Sequence, residues 1–100
     1  MKSRRSKATD IPKKVKLSVW ERDNHRCIIC GATYSAMPNA HVISRAQGGL
    51  GVEENIVTLC FDCHYIMDQT VGRKVYLKKC KDYLQRIYPD WNEEELKYKK

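Results

Sequence analysis

Within nine residues, "CFDCHYIMD" at positions 60–68, the chain sets two thiols, an imidazole and a carboxylate. Cys60 and Cys63 form a C-x2-C knuckle, and Cys27 and Cys30 form another, with 29 residues between them. Two such knuckles bring four sulfurs to one tetrahedral ion over bonds of about 2.3 Å, and four thiolates leave no position open for chemistry. The pattern predicts a structural zinc at Cys27, Cys30, Cys60 and Cys63. The competing readings are four unrelated buried thiols or a redox C-x2-C pair, and no thioredoxin-like βαβ pattern surrounds either knuckle. The fifth cysteine, Cys80, is expected to pack as a small hydrophobe in a later helix.

His64 and Asp68 point to a second site. Helical neighbours lie about 100° apart, whereas residues four apart differ by only about 40°. Cys63 and His64 therefore do not face one ion, but His64 and Asp68 share a face. A mixed nitrogen and oxygen pair suits Mg²⁺, Mn²⁺ or another divalent ion that keeps several waters. The bland alternative is a surface histidine beside a helical aspartate. Two sites would mean one metal that holds the fold and another that does chemistry.

The charge is unevenly spread. Residues 1–26 carry nine Lys/Arg against three Asp/Glu, and residues 71–100 carry nine against five. Residues 27–70 carry only Arg45 against Glu53, Glu54, Asp62 and Asp68. Two basic flanks around a thiol-rich, mildly acidic centre fit a polyanion-binding protein with a cation site, or more simply a solvated basic surface. A chain of 100 residues has a marginal core and commonly needs a staple, for which a metal is the intracellular choice. No stretch approaches the roughly 18 apolar residues of a membrane span. "MKSRRSKATD" is basic but no apolar h-region follows it, so it does not read as a secretory signal. Cysteines in a reducing compartment bind metal more often than they pair, and the cytoplasm is the expected location.

These side chains must be positioned by short elements in an α+β arrangement. Residues 1–11 read as a mobile basic arm. A helix is expected from Pro12, whose fixed φ suits a first turn, with Val15, Val19 and either Leu17 or Trp20 facing inward. "RDNHRC" at 22–27 breaks it. "CIICG" at 27–31 reads as a short strand turning through a knuckle, "AHVIS" at 40–44 alternates as a strand, and "QGGLG" at 47–51 is a loop. "NIVTL" at 55–59 is a buried apolar run. A helix follows Cys60 to about Asp68, and another spans 74–88, with Val75, Leu77, Tyr83, Leu84 and Ile87 as its stripe and Pro89 as its stop. Asn92 caps a last helical turn. One domain is expected over 1–100, with the arm at 1–11, a zinc-stapled core at 12–70 and a helical extension at 71–100.

"CIICG" followed by "AHVISRAQGGLGVEENIVTLCFDCHYIMD" resembles the HNH endonuclease family, whose ββα-metal motif is often framed by a four-cysteine zinc site. The likeness covers roughly residues 20–68, with four cysteines, His41, Gly48-Gly49, Asn55 and His64 in order. The flanks are similar to those of small phage-encoded members. The resemblance implies a ββα-metal fold between an N-terminal helix and a C-terminal helical extension, and metal-dependent hydrolysis of DNA. In that scheme His41 is the general base, Asn55 orients the loop between strand and helix, and His64 is a metal ligand. The implied reaction is attack by an activated water on a phosphodiester phosphorus, with an ion such as Mg²⁺ or Mn²⁺ stabilising charge on the phosphate and on the departing 3′ oxygen.

One position departs from the pattern. Many members carry Asp or His just before the motif histidine, where this chain has Ala40. Asp68 is the expected substitute ligand, since some members draw one from four residues after the last histidine. Arg45 is expected near the scissile phosphate, and Lys2, Arg4, Arg5 and Lys7 are candidate phosphate contacts. A single ββα site cuts one strand, so a monomer should nick. The resemblance suggests a phage or mobile-element setting, in the host cytoplasm, with a terminase or a second copy as partner. The alternative is a catalytically silent, zinc-stapled DNA-binding module in which Ala40 marks the loss of the second metal.

Overall fold

A computed structural model describes residues 3–99. Its helices are α1 (Arg4–Thr9), α2 (Lys13–Arg22), α3 (Phe61–Gln69) and α4 (Arg73–Ile87), and its strands are β1 (Met37–His41) and β2 (Ile56–Leu59). Single 3-10 turns at Arg45–Gln47, Glu53–Asn55 and Glu93–Leu96 complete the order. The fold is α+β, as expected. None of its described helices is long and apolar enough to cross a membrane.

Within the segment expected as an aperiodic arm, residues Arg4–Thr9 are helical. Ser3 caps α1 by accepting from the Ser6 amide at 3.1 Å, and the helix stops short of Pro12, which disfavours helical backbone in the residue before it. Lys2, one of the candidate phosphate contacts, lies outside the described residues. Pro12 precedes α2 as predicted, and Val19 is the side chain that α2 buries completely, while Leu17 stays exposed. The helix ends where Asn24 and His25 adopt left-handed φ of 58° and 59°, conformations that asparagine tolerates better than most residues.

Residues 27–31 form a turn and not the expected strand. The Gly31 amide bonds back to the Cys27 carbonyl at 2.9 Å, and Gly31 takes a φ of 78° that costs glycine little. A single bond from the Ile28 amide to the Thr58 carbonyl, 3.0 Å, lays this turn on β2 without extending the ladder.

β1 and β2 pair antiparallel, with Ala40 opposite Val57 and His41 opposite Ile56. The register slips between Met37 and Ala40, where Pro38 has no amide to donate to a ladder. The strand expected over 40–44 ends at His41. Val42 and Ile43 are both buried, which breaks the alternation of a half-exposed strand, because Asn55 captures both of their amides. All four residues of β2 are buried, with α2 and α3 packed against it.

α3 lies against α4, and the Cys80 thiol meets the Met67 sulfur at 3.8 Å. Cys80 and Leu84 are the buried residues of α4, while Val75 and Ile87, expected on its inner stripe, are exposed. The true stripe runs through Tyr76, Leu77, Cys80, Tyr83 and Leu84, a helical spacing rotated toward Cys80. A buried polar knot closes the other side. Asp23 accepts from the Arg22 Nε at 2.8 Å, the Thr58 amide at 2.8 Å and the Tyr83 hydroxyl at 2.6 Å. Burial, reinforced by that bond to Asp23, pushes the Tyr83 phenol up to about 12. The knot joins α2, β2 and α4 and holds the hairpin in place.

Candidate active site

The four knuckle cysteines converge. Cys27 and Cys30 come from the 27–31 turn, Cys60 is the N-cap of α3 and Cys63 lies in its first turn. Their Sγ atoms all lie within 4.8 Å of one another, and Cys30 and Cys60 are 3.6 Å apart. A tetrahedral zinc with bonds of about 2.3 Å needs sulfur separations of about 3.8 Å, so the donor set fits that ion. Burial and the neighbouring sulfurs push the Cys63 thiol above the usual range. At Cys27 burial also raises the value, but backbone amides outweigh it and lower the thiol to about 7. Four thiols so close together favour a cation that lets all of them ionise.

His41, at the end of β1, is half-buried with its Nε2 2.8 Å from the carbonyl oxygen of Thr9. A carbonyl only accepts, so Nε2 carries the hydrogen and Nδ1 keeps its lone pair. Burial, chiefly, lowers the pKa of His41, with help from the charges of Arg45 and His64 and against the Thr9 bond. The ring is therefore neutral at pH 7.

His64 and Asp68 face each other on α3, with Nε2 and Oδ2 3.1 Å apart and both side chains partly exposed. The separation is that of an ion pair between the two side chains, and two adjacent ligands of an octahedral ion with bonds of 2.0–2.1 Å stand equally about 3 Å apart. Among the described residues, the cysteines are the only group of three or more His, Cys, Asp or Glu whose ligand atoms converge. Ala40 does not face this region. It is fully buried in the core opposite Val57, on the other side of β1 from His41, as strand alternation requires.

Asn55 is fully buried and shapes the loop between β1 and β2. Its Oδ1 accepts from the Ile43 amide at 2.7 Å, and its Nδ2 donates to the carbonyls of Ile43 and Leu50 at 3.1 and 2.9 Å. Gly49 passes so close that a Cβ there would lie 1.7 Å from the Ile43 oxygen. The loop can close around Asn55 only with glycine at that point.

Several site residues carried no local sequence signal. Residues 3–11 form a strap over this loop. The Gly51 amide donates to the Ala8 carbonyl at 3.0 Å, and Arg5 donates to the carbonyls of Arg45 and Ala46 at 3.2 and 2.6 Å. Arg45 pairs with Asp10 at 2.6 Å. A cavity of about 460 Å³ is lined by Asp10, Ile11, Lys16, Asn39, His41 and Arg45. Asn39 lies two residues before His41, and a period of two could have found it; its Oδ1 is buried with no hydrogen-bond partner among the described residues. Thr9 and Asp10 are more than 30 residues from the side chains they hold, beyond the reach of any local pattern.

Residues 27–66 match the family model described as HNH endonuclease. No curated protein and no solved structure matches the chain. The match runs from the first knuckle across the hairpin and into α3, which are the elements that carry His41, Asn55 and His64. Over those residues, which hold the four cysteines, the hairpin and most of α3, the chain is similar to the HNH endonucleases, a family of metal-dependent nucleases.

Proposed function

We propose that this protein is a divalent-metal-dependent DNA endonuclease in which His41 is the general base. The observation that carries this reading is the 2.8 Å bond from His41 Nε2 to Thr9, together with the lowered pKa of the ring. They leave Nδ1 as an unprotonated base at neutral pH, which is the state that proton abstraction needs. His64 and Asp68 would hold the catalytic ion, which when bound supplies Lewis-acid stabilisation of charge on the phosphate and the departing 3′ oxygen.

The chain's own residues do the rest. His41 takes a proton from a water as the water oxygen bonds to phosphorus and the P–O3′ bond breaks; the departing 3′ oxygen takes a proton from solvent water, giving 5′ phosphate and 3′ hydroxyl ends. Asn55 keeps the loop folded so that His41 and Arg45 stay in place. Arg45, paired with Asp10, contacts the phosphate beside the cut. Cys27, Cys30, Cys60 and Cys63 would hold a zinc, which would tie the turn to the start of α3 and so keep the two motif halves together. Asp68 serves as the carboxylate partner of His64, since position 40 faces the core. One site cuts one strand, so a monomer nicks, and a double-strand break requires a second copy or a partner such as a phage terminase.

The test is supercoiled-plasmid cleavage with Mg²⁺ or Mn²⁺, beside EDTA and beside His41→Ala. Cleavage by the wild type that is lost in both controls is the expected result. A rival reading, the silent DNA-binding module, is favoured because the described residues bring together no group of three or more donors outside the cysteines. Plasmid binding without cleavage under any divalent ion would replace the nuclease with that module.

A further inference from the structure

The solvent face of α3 is aromatic. Phe61 is 70% exposed and Tyr65 55%. At 100° per residue, Phe61, His64, Tyr65 and Asp68 fall within an arc of about 100°, while Cys63 and Met67 lie buried on the opposite side. The two rings thus share one strip of surface with the His64–Asp68 pair. A third ring lies close by: the Ser35 hydroxyl accepts from the Phe61 amide at 3.0 Å, which holds the Tyr34–Ser35 turn at the start of α3, and Tyr34 is largely exposed.

This face is poorly suited to phosphates. α3 carries no Lys or Arg, and its acidic side chains are Asp62 and Asp68. The helix can offer a nucleic acid ring faces but not cations. The cations stand in the basic flanks, where they attract a backbone without reading it.

We propose that Phe61 and Tyr65 stack on unpaired bases next to the cut, so that the preferred substrate is DNA with single-stranded nucleotides at the scissile phosphate and not intact duplex. The inference rests on the nuclease reading above for the identity of the phosphate that is cut. A phosphate bound to an ion that His64 and Asp68 would hold leaves its flanking nucleosides over the same strip of helix. In a duplex those bases are stacked on their neighbours and show only their edges, so a protein ring meets a base face only after the stack is opened. Unpaired nucleotides present that face at once, and stacking on it tolerates any base.

The probe is an oligonucleotide containing 2-aminopurine, titrated single-stranded and as a duplex, in buffer without added divalent ion. It is run against the wild type, Phe61→Ala, Tyr65→Ala and Tyr65→Phe. The wild type should bind the single strand more tightly and quench its fluorescence. Each alanine should weaken single-strand binding by roughly five- to a hundred-fold and leave duplex binding unchanged, while Tyr65→Phe keeps both the affinity and the quenching. Both side chains are exposed, so the melting temperature should not move. Alanine variants that bind and quench like the wild type overturn the inference. So do variants whose only change is a smaller sedimenting species, which would assign the face to a second copy of the chain. Plasmid cleavage, measured separately, tells the two readings apart. Cleavage without any ring effect removes the stacking role alone, and a ring effect without cleavage removes the nuclease alone.

Discussion

Gly51→Ala should disable His41 without touching it. The added Cβ would lie 1.9 Å from the Asp10 oxygen and 2.5 Å from its carbonyl carbon. Carbon contacts relax only near 3.5 Å, so the strap must retreat by more than about 1 Å. That movement breaks the Gly51–Ala8 bond of 3.0 Å and the Thr9–His41 bond of 2.8 Å. Two such bonds contribute about 1–3 kcal/mol to the docking of the strap. The catalytic cost is larger, because a misplacement of about 1 Å can cost about 100-fold in rate. Freed from Thr9, the His41 ring also loses its fixed tautomer. Metal-dependent plasmid cleavage should fall by about 100-fold, and nitrogen-15 spectra of His41 should change from one tautomer to a mixture. A thiol-reactive dye should still find the cysteine site closed, since the substitution lies away from it. Cleavage at the wild-type rate, with His41 still protonated on Nε2 alone, would refute the idea that the strap positions the base.

Three further outcomes are expected. Asp68→Ala should abolish metal-dependent cleavage and leave the zinc-bound fold intact by circular dichroism; near-normal cleavage would show that His64 needs no carboxylate partner. Asn55→Ala strands the Ile43 amide and two buried carbonyls and should cost about 2–4 kcal/mol in urea unfolding, against under about 1 kcal/mol if the loop holds itself together. For pH, the sign follows from the lowered pKa of His41. The ring is a free base above that value and loses activity as pH falls through it, so the acid limb of kcat/KM should have its midpoint below about 6.5. A midpoint above neutrality would assign that limb to another group.

The sequence by itself determined what depends on neighbours along the chain. The helices after Pro12, after Cys60 and up to Pro89 are local patterns of period, cap and stop, and they form where periodicity places them. The facing of His64 and Asp68 follows from helical geometry alone. The knuckle spacing was enough to expect four sulfurs around one ion, because only the final meeting of the two pairs is long-range. Tertiary structure decided the rest. Residues 27–31 became a turn because Gly31 and one bond to β2 end any ladder there. Asp23 sits in a segment whose composition suggests an exposed turn, yet it is buried, because Tyr83 and Thr58 arrive from distant elements to satisfy it. The inner stripe of α4 was set by where Met67 meets Cys80. Charge and low hydrophobicity made residues 3–11 read as an arm, and the carbonyl that fixes His41 comes from it. A backbone carbonyl has no side-chain identity, so its role depends only on where the fold carries it.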